Sequence, residues 1–398
     1  MGTPGKQGRE NERNKEIEMT DADTVVIGGG LVGLAIAYGL LRAGERVTIL
    51  DEGDDAFRAS RGNFGQVWVQ GKGANNIPYA RLSMEAAQTW PSFAADLIEL
   101  TGIDPQLEQR GALMFALTDA ELEGRAAKMK ELSAEMAGLG IDYPYEILDA
   151  SAVHDVCPSA GPEVVGACFS PMDGQVNPLK LMRSLIAAVI ALGGCLKTGT
   201  SVKKVDFLDG EFHIKTGDQQ ISSGKLVLAA GLGNEALAPM VGLVAPVKAV
   251  RGQILVTERL KPFLNLVTAS VRQTDEGIVH IGESMEDVGL DEGTTTPQLS
   301  RIAGRAIRMF PVLEGVNIVR SWGSLRVMTA DGYPVYQTSS TCPGAFLVTC
   351  HSGVTLASKH AGSIANWIKT GDEPPLISGF KAEREALASG FKMERFGV

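Results

Sequence analysis

Hydrophobic and polar positions in the first ordered part of the chain follow a strand pattern, then a helix pattern, then a strand pattern again. The β-branched residues 24–27 are followed by three glycines, and residues 31–42 then carry apolar side chains on every side. A second apolar run, residues 46–50, ends at Asp51. This order predicts a strand, a tight turn, a buried helix and a second strand, which together form a compact βαβ unit.

The rest of the chain continues to alternate between the two patterns. Helical periodicity predicts helices over residues 78–100, 119–139, 177–192, 297–310 and 355–369. Apolar runs predict strands over residues 225–228, 247–256, 278–281 and 344–349, with further short strands between 195 and 227. Asp331-Gly332 predicts a hairpin turn. Alternating strands and helices indicate the α/β class.

Length and composition add one unusual feature to this picture. The 398 residues suggest two domains, or one large α/β body with an insertion, and 44% hydrophobic with 21% charged residues excludes global disorder. Glycine is in excess, at 47 of 398 residues, against an ordinary share of about 7%. No Gly-X-Y period accompanies the excess, so these glycines are expected at positions where the backbone needs them.

Charge and cysteine content exclude several classes of function. Lys and Arg number 37 against 47 Asp and Glu, and the net charge of −10 opposes binding to nucleic acid. The cysteines are odd in number, far apart and without a C-x-x-C pair, so we predict no disulfide framework and no metal site. They are Cys157, Cys168, Cys195, Cys342 and Cys350. Such cysteines fit a reducing compartment, and we expect a cytoplasmic protein.

No segment predicts membrane insertion or secretion. The first residues are charged and lack the apolar region of a signal peptide, so residues 1–21 are predicted to form a disordered tail. Residues 25–41 are the most membrane-like stretch, but glycines interrupt them and they are shorter than the roughly 20 residues that span a bilayer. We therefore predict no transmembrane segment.

The glycine spacing inside the βαβ unit predicts a dinucleotide site. Gly28, Gly30 and Gly33 stand at the G-x-G-x-x-G positions, which allow a tight turn, close approach of a pyrophosphate and close helix packing. Asp51 ends the second strand, where a carboxylate holds a ribose hydroxyl. The plain alternative is a generic turn with a surface acid. These residues alone leave open FAD or NAD, and hence an NAD(P)-dependent dehydrogenase.

Several later motifs resemble those of one flavoprotein superfamily. Residues 59–66 (ASRGNFGQ) resemble a segment that passes beside the flavin ring, and residues 322–334 resemble a segment whose arginine binds the substrate. Residues 350–357 (CHSGVTLA) resemble the last flavin motif, a turn from strand to helix. With these motifs in order, residues 22–380 resemble the FAD-dependent D-amino-acid oxidase and glycine oxidase superfamily. Within it, the chain most resembles the β-subunits of opine (octopine and nopaline) oxidases, with hydrogen cyanide synthase and D-hydroxyproline dehydrogenase subunits nearby.

The resemblance implies FAD as cofactor and gives candidate roles to particular residues. It implies that Arg326 binds a substrate carboxylate, for which a planar guanidinium is well suited. For His351 it leaves two alternatives, a proton acceptor or a residue that only shapes the turn. Val202, in the strand after the mid-chain helix, matches a position that meets the adenine. The candidate cofactor-binding residues are Gly28, Gly30, Leu31, Val32, Gly33, Asp51, Glu52, Ser60, Arg61, Gly62, Asn63, Gly65, Gln66, Val202, Ala229, Ala230, Gly231, Ser352, Gly353, Val354 and Thr355.

The same resemblance implies a fold in two parts. A discontinuous, Rossmann-like FAD-binding domain is expected from residues 22–85, 150–235 and 325–372. A mixed-sheet α+β substrate domain is expected from residues 86–149 and 236–324, with a C-terminal extension over 373–398.

The expected activity is oxidation of the CH–NH bond of an amino acid or an opine-like N-substituted amino acid. Hydride transfer to flavin N5 gives an imine, which hydrolyses to an amine and a 2-oxo acid. D-amino acids, D-hydroxyproline and glycine are the alternative substrates. Resemblance to glycine oxidase would imply a second arginine in the final turn, but residues 350–353 contain none. This difference disfavours glycine-like substrates and leaves room for a bulkier N-substituent. The resemblance further implies a hetero-oligomer, with a second subunit that carries its own flavin and an iron–sulfur centre and accepts the electrons.

Overall fold

A computed structural model describes residues 21–53, 59–217, 219–282, 284–388 and 390. The tail predicted over residues 1–21 lies outside these residues except at Asp21, which begins the first strand.

The strands of the described part are short in most cases, and about half of them fall where apolar runs predicted strands. In chain order they are β1 (Asp21–Ile27), β2 (Val47–Leu50), β3 (Gln66–Val67), β4 (Ala112–Ala116), β5 (Glu146–Asp149), β6 (Gly166–Ser170), β7 (Gly174–Gln175), β8 (Cys195–Lys197), β9 (Lys204–Leu208), β10 (Glu211–Lys215), β11 (Gln220–Leu228), β12 (Lys248–Arg259), β13 (Val267–Thr268), β14 (Val271–Gln273), β15 (Ile278–Ile281), β16 (Ile318–Met328), β17 (Val335–Thr338) and β18 (Ala345–Thr349).

The longer helices lie close to the predicted ranges, and several short helices were not predicted. They are α1 (Leu31–Arg42), α2 (Ala59–Gly62), α3 (Ile77–Thr101), α4 (Asp119–Ala137), α5 (Ala150–Val156), α6 (Pro178–Ala191), α7 (Asn234–Leu237), α8 (Thr296–Met309), α9 (Ala357–Lys359), α10 (Ala365–Thr370) and α11 (Glu385–Ala388). The helix predicted over residues 355–369 is interrupted, because a π-helical turn, His360–Ile364, lies between α9 and α10.

Capping residues explain where the longer helices begin. The Asn177 side chain accepts hydrogen bonds from the N–H groups of Leu179 and Lys180, and Pro178 occupies the first helical position of α6. Asn76 caps α3 in the same way, and Thr118 caps α4. Local sequence therefore explains where these helices begin.

A largely parallel sheet forms the first body of the molecule. Its strands run in the order β17-β18-β11-β1-β2-β8, and the pairs that join β18, β11, β1, β2 and β8 are parallel. Alternate residues of β1 enter two different cores: Val26 packs with α1, α3 and α6, whereas Val25 and Ile27 pack on the opposite face. Burial on both faces is expected of a parallel sheet. The α/β fold class expected from the sequence is confirmed.

A second body covers one end of this sheet. The sheet β14-β15-β12-β16 and the sheet β13-β4-β6-β5 share one apolar core with α5 and α8. β6 lies in the range 150–235 that we predicted for the FAD-binding domain, but it pairs with β4 and β5. Helix α3 extends past residue 85 and packs with α1 and α6 in the core of the first body. The domain boundaries stay a prediction, and strand pairing favours moving both of them.

The predicted hairpin at Asp331-Gly332 is wrong. The residues do form a turn, with Gly332 at φ +79° and its N–H bonded to the Thr329 carbonyl. However, β16 pairs with β12, whereas β17 pairs with β18. The turn therefore carries the chain from the second body back to the first, and an ion pair between Asp331 and Arg384 holds it (2.6 Å).

Candidate active site

The carboxyl ends of four parallel strands meet at one edge of the first sheet. β1, β2, β11 and β18 end at residues 27, 50, 228 and 349, and the loops that follow them contain most of the predicted cofactor residues. In open α/β sheets this edge is where ligands bind. The topology therefore brings together segments that are more than 300 residues apart in sequence.

The glycine turn after β1 is packed too closely for side chains. Gly28 has φ +109°, and a Cβ on it would lie 2.7 Å from the carbonyl carbon of Ala229. A Cβ on Gly33 would overlap the carbonyl oxygen of Gly28. The turn, helix α1 and the end of β11 are thus in direct backbone contact, as the glycine spacing predicted.

The start of helix α1 presents backbone N–H groups to side-chain oxygens. Gly30 caps the helix without a side-chain bond, and the N–H of Leu31 donates to the Ser60 hydroxyl (3.0 Å). The N–H of Gly29 donates to the Asp51 carboxylate (2.7 Å). Backbone donors at a helix start bind phosphate oxygens, and Asp51 stands beside them as a ribose ligand would. These features fit a dinucleotide such as FAD.

The predicted flavin segment is held mainly by its own amides. Both ends of the Asn63 amide bond locally, to the Ser60 carbonyl (2.7 Å) and to the Gly65 N–H (2.8 Å). The amide nitrogen of Gln66 donates to the Ala269 carbonyl in the second body (2.6 Å). Both ends of the Asn63 amide are therefore occupied within the loop. Only the backbone of Asn63 is left to contact a flavin ring.

Two side chains of the second body tie the same segment down. Arg272 donates to the Phe64 carbonyl (3.0 Å), and the indole N–H of Trp322 donates to the Gly62 carbonyl (3.2 Å). Arg272 is buried, and its burial lowers its pKa to about 10. Trp322 therefore helps to fix the position of the flavin segment.

Arg326 lies on the face of β16 that looks toward this segment. Trp322, Ser324 and Arg326 alternate along the strand and so share one face, opposite Gly252 of β12. The guanidinium of Arg326 donates to the Ser284 carbonyl (2.7 Å). A half-buried arginine, anchored to the backbone, thus lies in the wall between the two bodies.

His351 follows β18 in a recess beside two cations. Its side chain is exposed at the mouth of the recess, and protein groups approach it from the other sides. Desolvation in this recess, and then the positive charges of Arg326 and Lys72, lower the pKa of His351 well below its ordinary value. The imidazole is therefore neutral at physiological pH.

Lys72 is a site residue that we did not predict. Its ammonium donates to the hydroxyls of Ser352 (2.8 Å) and Thr355 (2.9 Å), and the Tyr79 hydroxyl is also 2.7 Å from the Ser352 hydroxyl. Thr355 in turn contacts the chain just after the flavin segment, because its hydroxyl accepts from the N–H of Trp68 (3.1 Å). The sequence did hold a signal: Lys72 is the only charged residue between positions 61 and 81.

Asp173 holds the chain just before Lys72 in place. It is fully buried and accepts hydrogen bonds from the N–H of Val69 and from the backbone and side chain of Gln70. Burial raises the pKa of Asp173 to about 7. Burial lowers the pKa of Lys72 to about 8, whereas the charge of Asp173 acts in the opposite direction.

The remaining predicted residues line the same edge. Val202 lies in the connection between β8 and β9, and not in a strand as predicted. A Cβ on Gly353 would lie 3.4 Å from the side chain of Val32, so the turns after β18 and β1 are neighbours. Ala229, Ala230 and Gly231 follow β11, Val354 is buried in the last turn, and Glu52 and Arg61 are exposed. Their contacts with a cofactor stay predictions.

Membrane-spanning helices and metal clusters are both missing from the described residues. Every helix in these ranges is too short or too polar to cross a bilayer. In the same ranges, no three His, Cys, Asp or Glu side chains come together as a metal ion requires.

Known proteins are similar to this chain in both sequence and fold. The sequence profile of the DAO family, FAD dependent oxidoreductase, matches residues 23–367. The opine oxidase B subunit of Agrobacterium tumefaciens (strain Ach5) is 44% identical over 92% of this chain and 98% of that protein. The opine oxidase B subunit of Rhizobium meliloti is 41% identical over 92% and 98%. The crystal structure of glycine oxidase from Geobacillus kaustophilus superposes with a TM-score of 0.83 at 24% identity, over 92% of this chain and 99% of that one.

Proposed function

This chain belongs to the DAO family of FAD-dependent oxidoreductases, and from that premise we propose that it oxidises the CH–NH bond of an opine-like N-substituted amino acid. The superfamily and the cofactor expected from the sequence are thereby confirmed. The identity to two opine oxidase B subunits over almost the whole chain supports the choice of substrate class.

One observation in the structure carries the proposal. Arg326 is anchored by Ser284 in the wall that faces the segment predicted to run along the flavin. A planar guanidinium grips a carboxylate through paired, charge-assisted hydrogen bonds. A substrate held in this way presents its α-carbon in a fixed orientation, and fixed orientation is a large part of what an enzyme supplies to such a reaction.

The chemistry divides between the cofactor and the protein. FAD, when bound, supplies the acceptor for the hydride that leaves the α-carbon. Arg326 orients the carboxylate, and the neutral His351 shapes the recess, where two neighbouring cations disfavour its protonation. The imine that remains after oxidation hydrolyses in water to an amine and a 2-oxo acid.

The residues that hold FAD are proposed from the arrangement at the sheet edge. The pyrophosphate is bound by the start of α1 together with Gly28, Gly30 and Gly33. The ribose is bound by Asp51. The backbone of residues 61–65 and the turn 352–355 receive the flavin. The close packing of Gly28 and Gly33 and the backbone N–H groups at the start of α1 support this assignment.

We propose further that the chain works as one component of a cytoplasmic hetero-oligomer. Both opine oxidase relatives are named as one lettered subunit of that oxidase, which supports the presence of a second chain. The chain has no cysteine spacing for an iron–sulfur centre, so such a centre would belong to the second subunit. Co-purification from the native source tests this, and full turnover by the isolated chain with a soluble acceptor contradicts it.

Anaerobic reduction of bound FAD tests the substrate class directly. The purified protein is mixed without oxygen with octopine, nopaline, D-alanine, D-hydroxyproline or glycine, and the flavin absorbance near 450 nm is followed. We expect bleaching with opines at rates well above those with the other compounds. Bleaching by glycine or a D-amino acid but not by opines overturns the proposed substrate class, and bleaching by none of them overturns the proposed activity.

A further inference from the structure

Among the described residues, no carboxylate pairs directly with the positively charged ammonium of Lys72. Its ammonium is held by two hydroxyls, those of Ser352 and Thr355, and it forms no ion pair with any residue in the described ranges. Asp173 is the nearest influence of opposite sign, but its oxygens already accept the hydrogen bonds of Val69 and Gln70. Desolvation of a half-buried cation is costly, and a negatively charged ligand placed beside the cation would lower that cost.

The position of Lys72 points to the flavin ring of FAD as that ligand. Lys72 joins two segments that are far apart in sequence, since it lies six residues after the flavin segment (59–66) and its ammonium contacts the turn 352–355. The Thr355 hydroxyl also donates to the Gln66 carbonyl (3.2 Å), so the same turn is tied to the predicted flavin segment. The three contacts place the ammonium at the junction of the two segments that line the candidate flavin site.

A cation at this junction lies where the flavin ring would gain negative charge during the reaction. A hydride carries two electrons and one proton, so the ring system gains one negative charge when it accepts a hydride and takes up no further proton. A fixed positive charge beside the ring stabilises that charge without moving any atom.

We propose that the Lys72 ammonium contacts the flavin ring of bound FAD and stabilises the negative charge that the ring gains on reduction. Ser352, Thr355 and Tyr79 are positioning residues for this ammonium. The proposal rests on FAD binding, which is a property of the family, and not on which amine the enzyme oxidises.

The test measures the cofactor and needs no amine substrate. In Lys72→Met we expect bound FAD to have a more negative midpoint potential, measured by equilibration with a reference dye. We also expect sulfite, a probe that adds to electron-poor flavins, to bind at least about tenfold more weakly. Lys72→Arg keeps the charge and should restore most of both properties. Lys359→Met is the matched control, because Lys359 lies in α9, directly after the turn 352–355, but is paired with Glu85 (2.7 Å).

Each remaining outcome decides the matter. An unchanged potential and sulfite affinity in Lys72→Met overturn the proposal. If the potential and the sulfite affinity of Lys72→Met are unchanged but a carboxylate substrate binds more weakly, Lys72 binds the substrate and the proposal is again wrong. If Lys72→Met does not retain FAD, Thr355→Val removes one of the two hydroxyls that hold the ammonium, and an unchanged potential in that variant overturns the proposal. Failure of the opine screen leaves all these readouts intact.

Discussion

Gly252 of β12 lies directly against the guanidinium of Arg326 on β16. A Cβ atom on Gly252 would be 2.6 Å from both Cζ and Nη2 of Arg326, closer than non-bonded atoms approach. The two residues are diagonal neighbours on one face of the antiparallel pair. The missing side chain at position 252 is what allows the arginine to lie flat across the sheet and reach the Ser284 carbonyl.

Substitution of Gly252 by alanine should therefore impair the enzyme without removing a functional group. The methyl group displaces the guanidinium, and a displacement of about 1 Å in an oriented substrate costs roughly 100-fold in rate. We expect kcat/KM for the substrate to fall by about that factor, with FAD content unchanged. Gly304→Ala is the control, since a Cβ on that exposed helical glycine meets nothing within 4 Å. Wild-type kinetics in Gly252→Ala would contradict the assigned role of Arg326.

Arg326 itself should matter for the substrate and not for the cofactor. Arg326→Lys keeps a positive charge but loses the planar fork, and we expect kcat/KM to fall about 100-fold or more, with a larger loss in Arg326→Ala. Both variants should purify with one FAD per chain, measured by absorbance after denaturation. Loss of FAD in either variant would make Arg326 a cofactor-binding or structural residue.

Gly33→Ala should weaken both the fold and FAD retention. The added methyl group would overlap the Gly28 carbonyl oxygen and lie 3.2 Å from a methyl of Val26, so helix α1 must move away from β1. Overpacking of this kind costs about 1–3 kcal/mol. We expect a lower Tm and a lower ratio of flavin to protein absorbance after purification.

A second glycine in a helix provides the control for that experiment. Gly124 of α4 is exposed, and a Cβ there meets nothing within 4 Å. Gly124→Ala should keep full FAD content and gain up to about 1 kcal/mol from its better helix propensity. Full FAD content in Gly33→Ala as well would show that the close approach of α1 to β1 is not required for binding.

The sequence predicted local features well, because the physics behind them is local. The βαβ unit follows from apolar periodicity and three glycines, and the start of α6 follows from Asn177 and Pro178. The hairpin at Asp331-Gly332 failed because turn chemistry does not determine which strands pair. β16 and β17 join different sheets, and that choice depends on contacts with β12 and β18.

The parts of the site that we missed depend on residues far apart in sequence. Lys72 reaches hydroxyls that are 280 and 283 positions away, and Asp173 accepts hydrogen bonds from residues more than 100 positions away. Neither partner is visible in a local pattern. Gly252 is a similar case, because its glycine is required only by an arginine on a neighbouring strand.

His360 should make the fold sensitive to acid. It is fully buried, its Nε2 lies 3.1 Å from the Tyr336 hydroxyl, and its Nδ1 has no partner among the described residues. Burial lowers the pKa of His360 to about 3. The unfolded chain therefore binds more protons here between pH 6.5 and 3, and the free energy of unfolding falls as the pH drops through that range.

Urea unfolding at several pH values between about 7.5 and 4.5 checks this prediction. His360→Gln removes the titrating group and keeps a hydrogen-bonding side chain, so we expect its unfolding free energy to depend less on pH than that of the wild type. His154→Gln, in which an exposed imidazole is removed, serves as the control. An identical pH dependence in wild type and His360→Gln would show that the buried imidazole contributes nothing to acid sensitivity.

His351 should contribute little to the pH dependence of catalysis. Desolvation, Arg326 and Lys72 lower the pKa of His351, so it is already neutral across the range in which the enzyme would be assayed. Accepting a proton there would add a third positive charge to the recess. We expect kcat/KM to rise with pH as the substrate amine loses its proton, and the same limb should appear in His351→Gln with kcat lowered no more than a few-fold. A general base contributes about 10²–10⁴-fold, so a loss of that size together with a changed acidic limb would establish His351 as the proton acceptor.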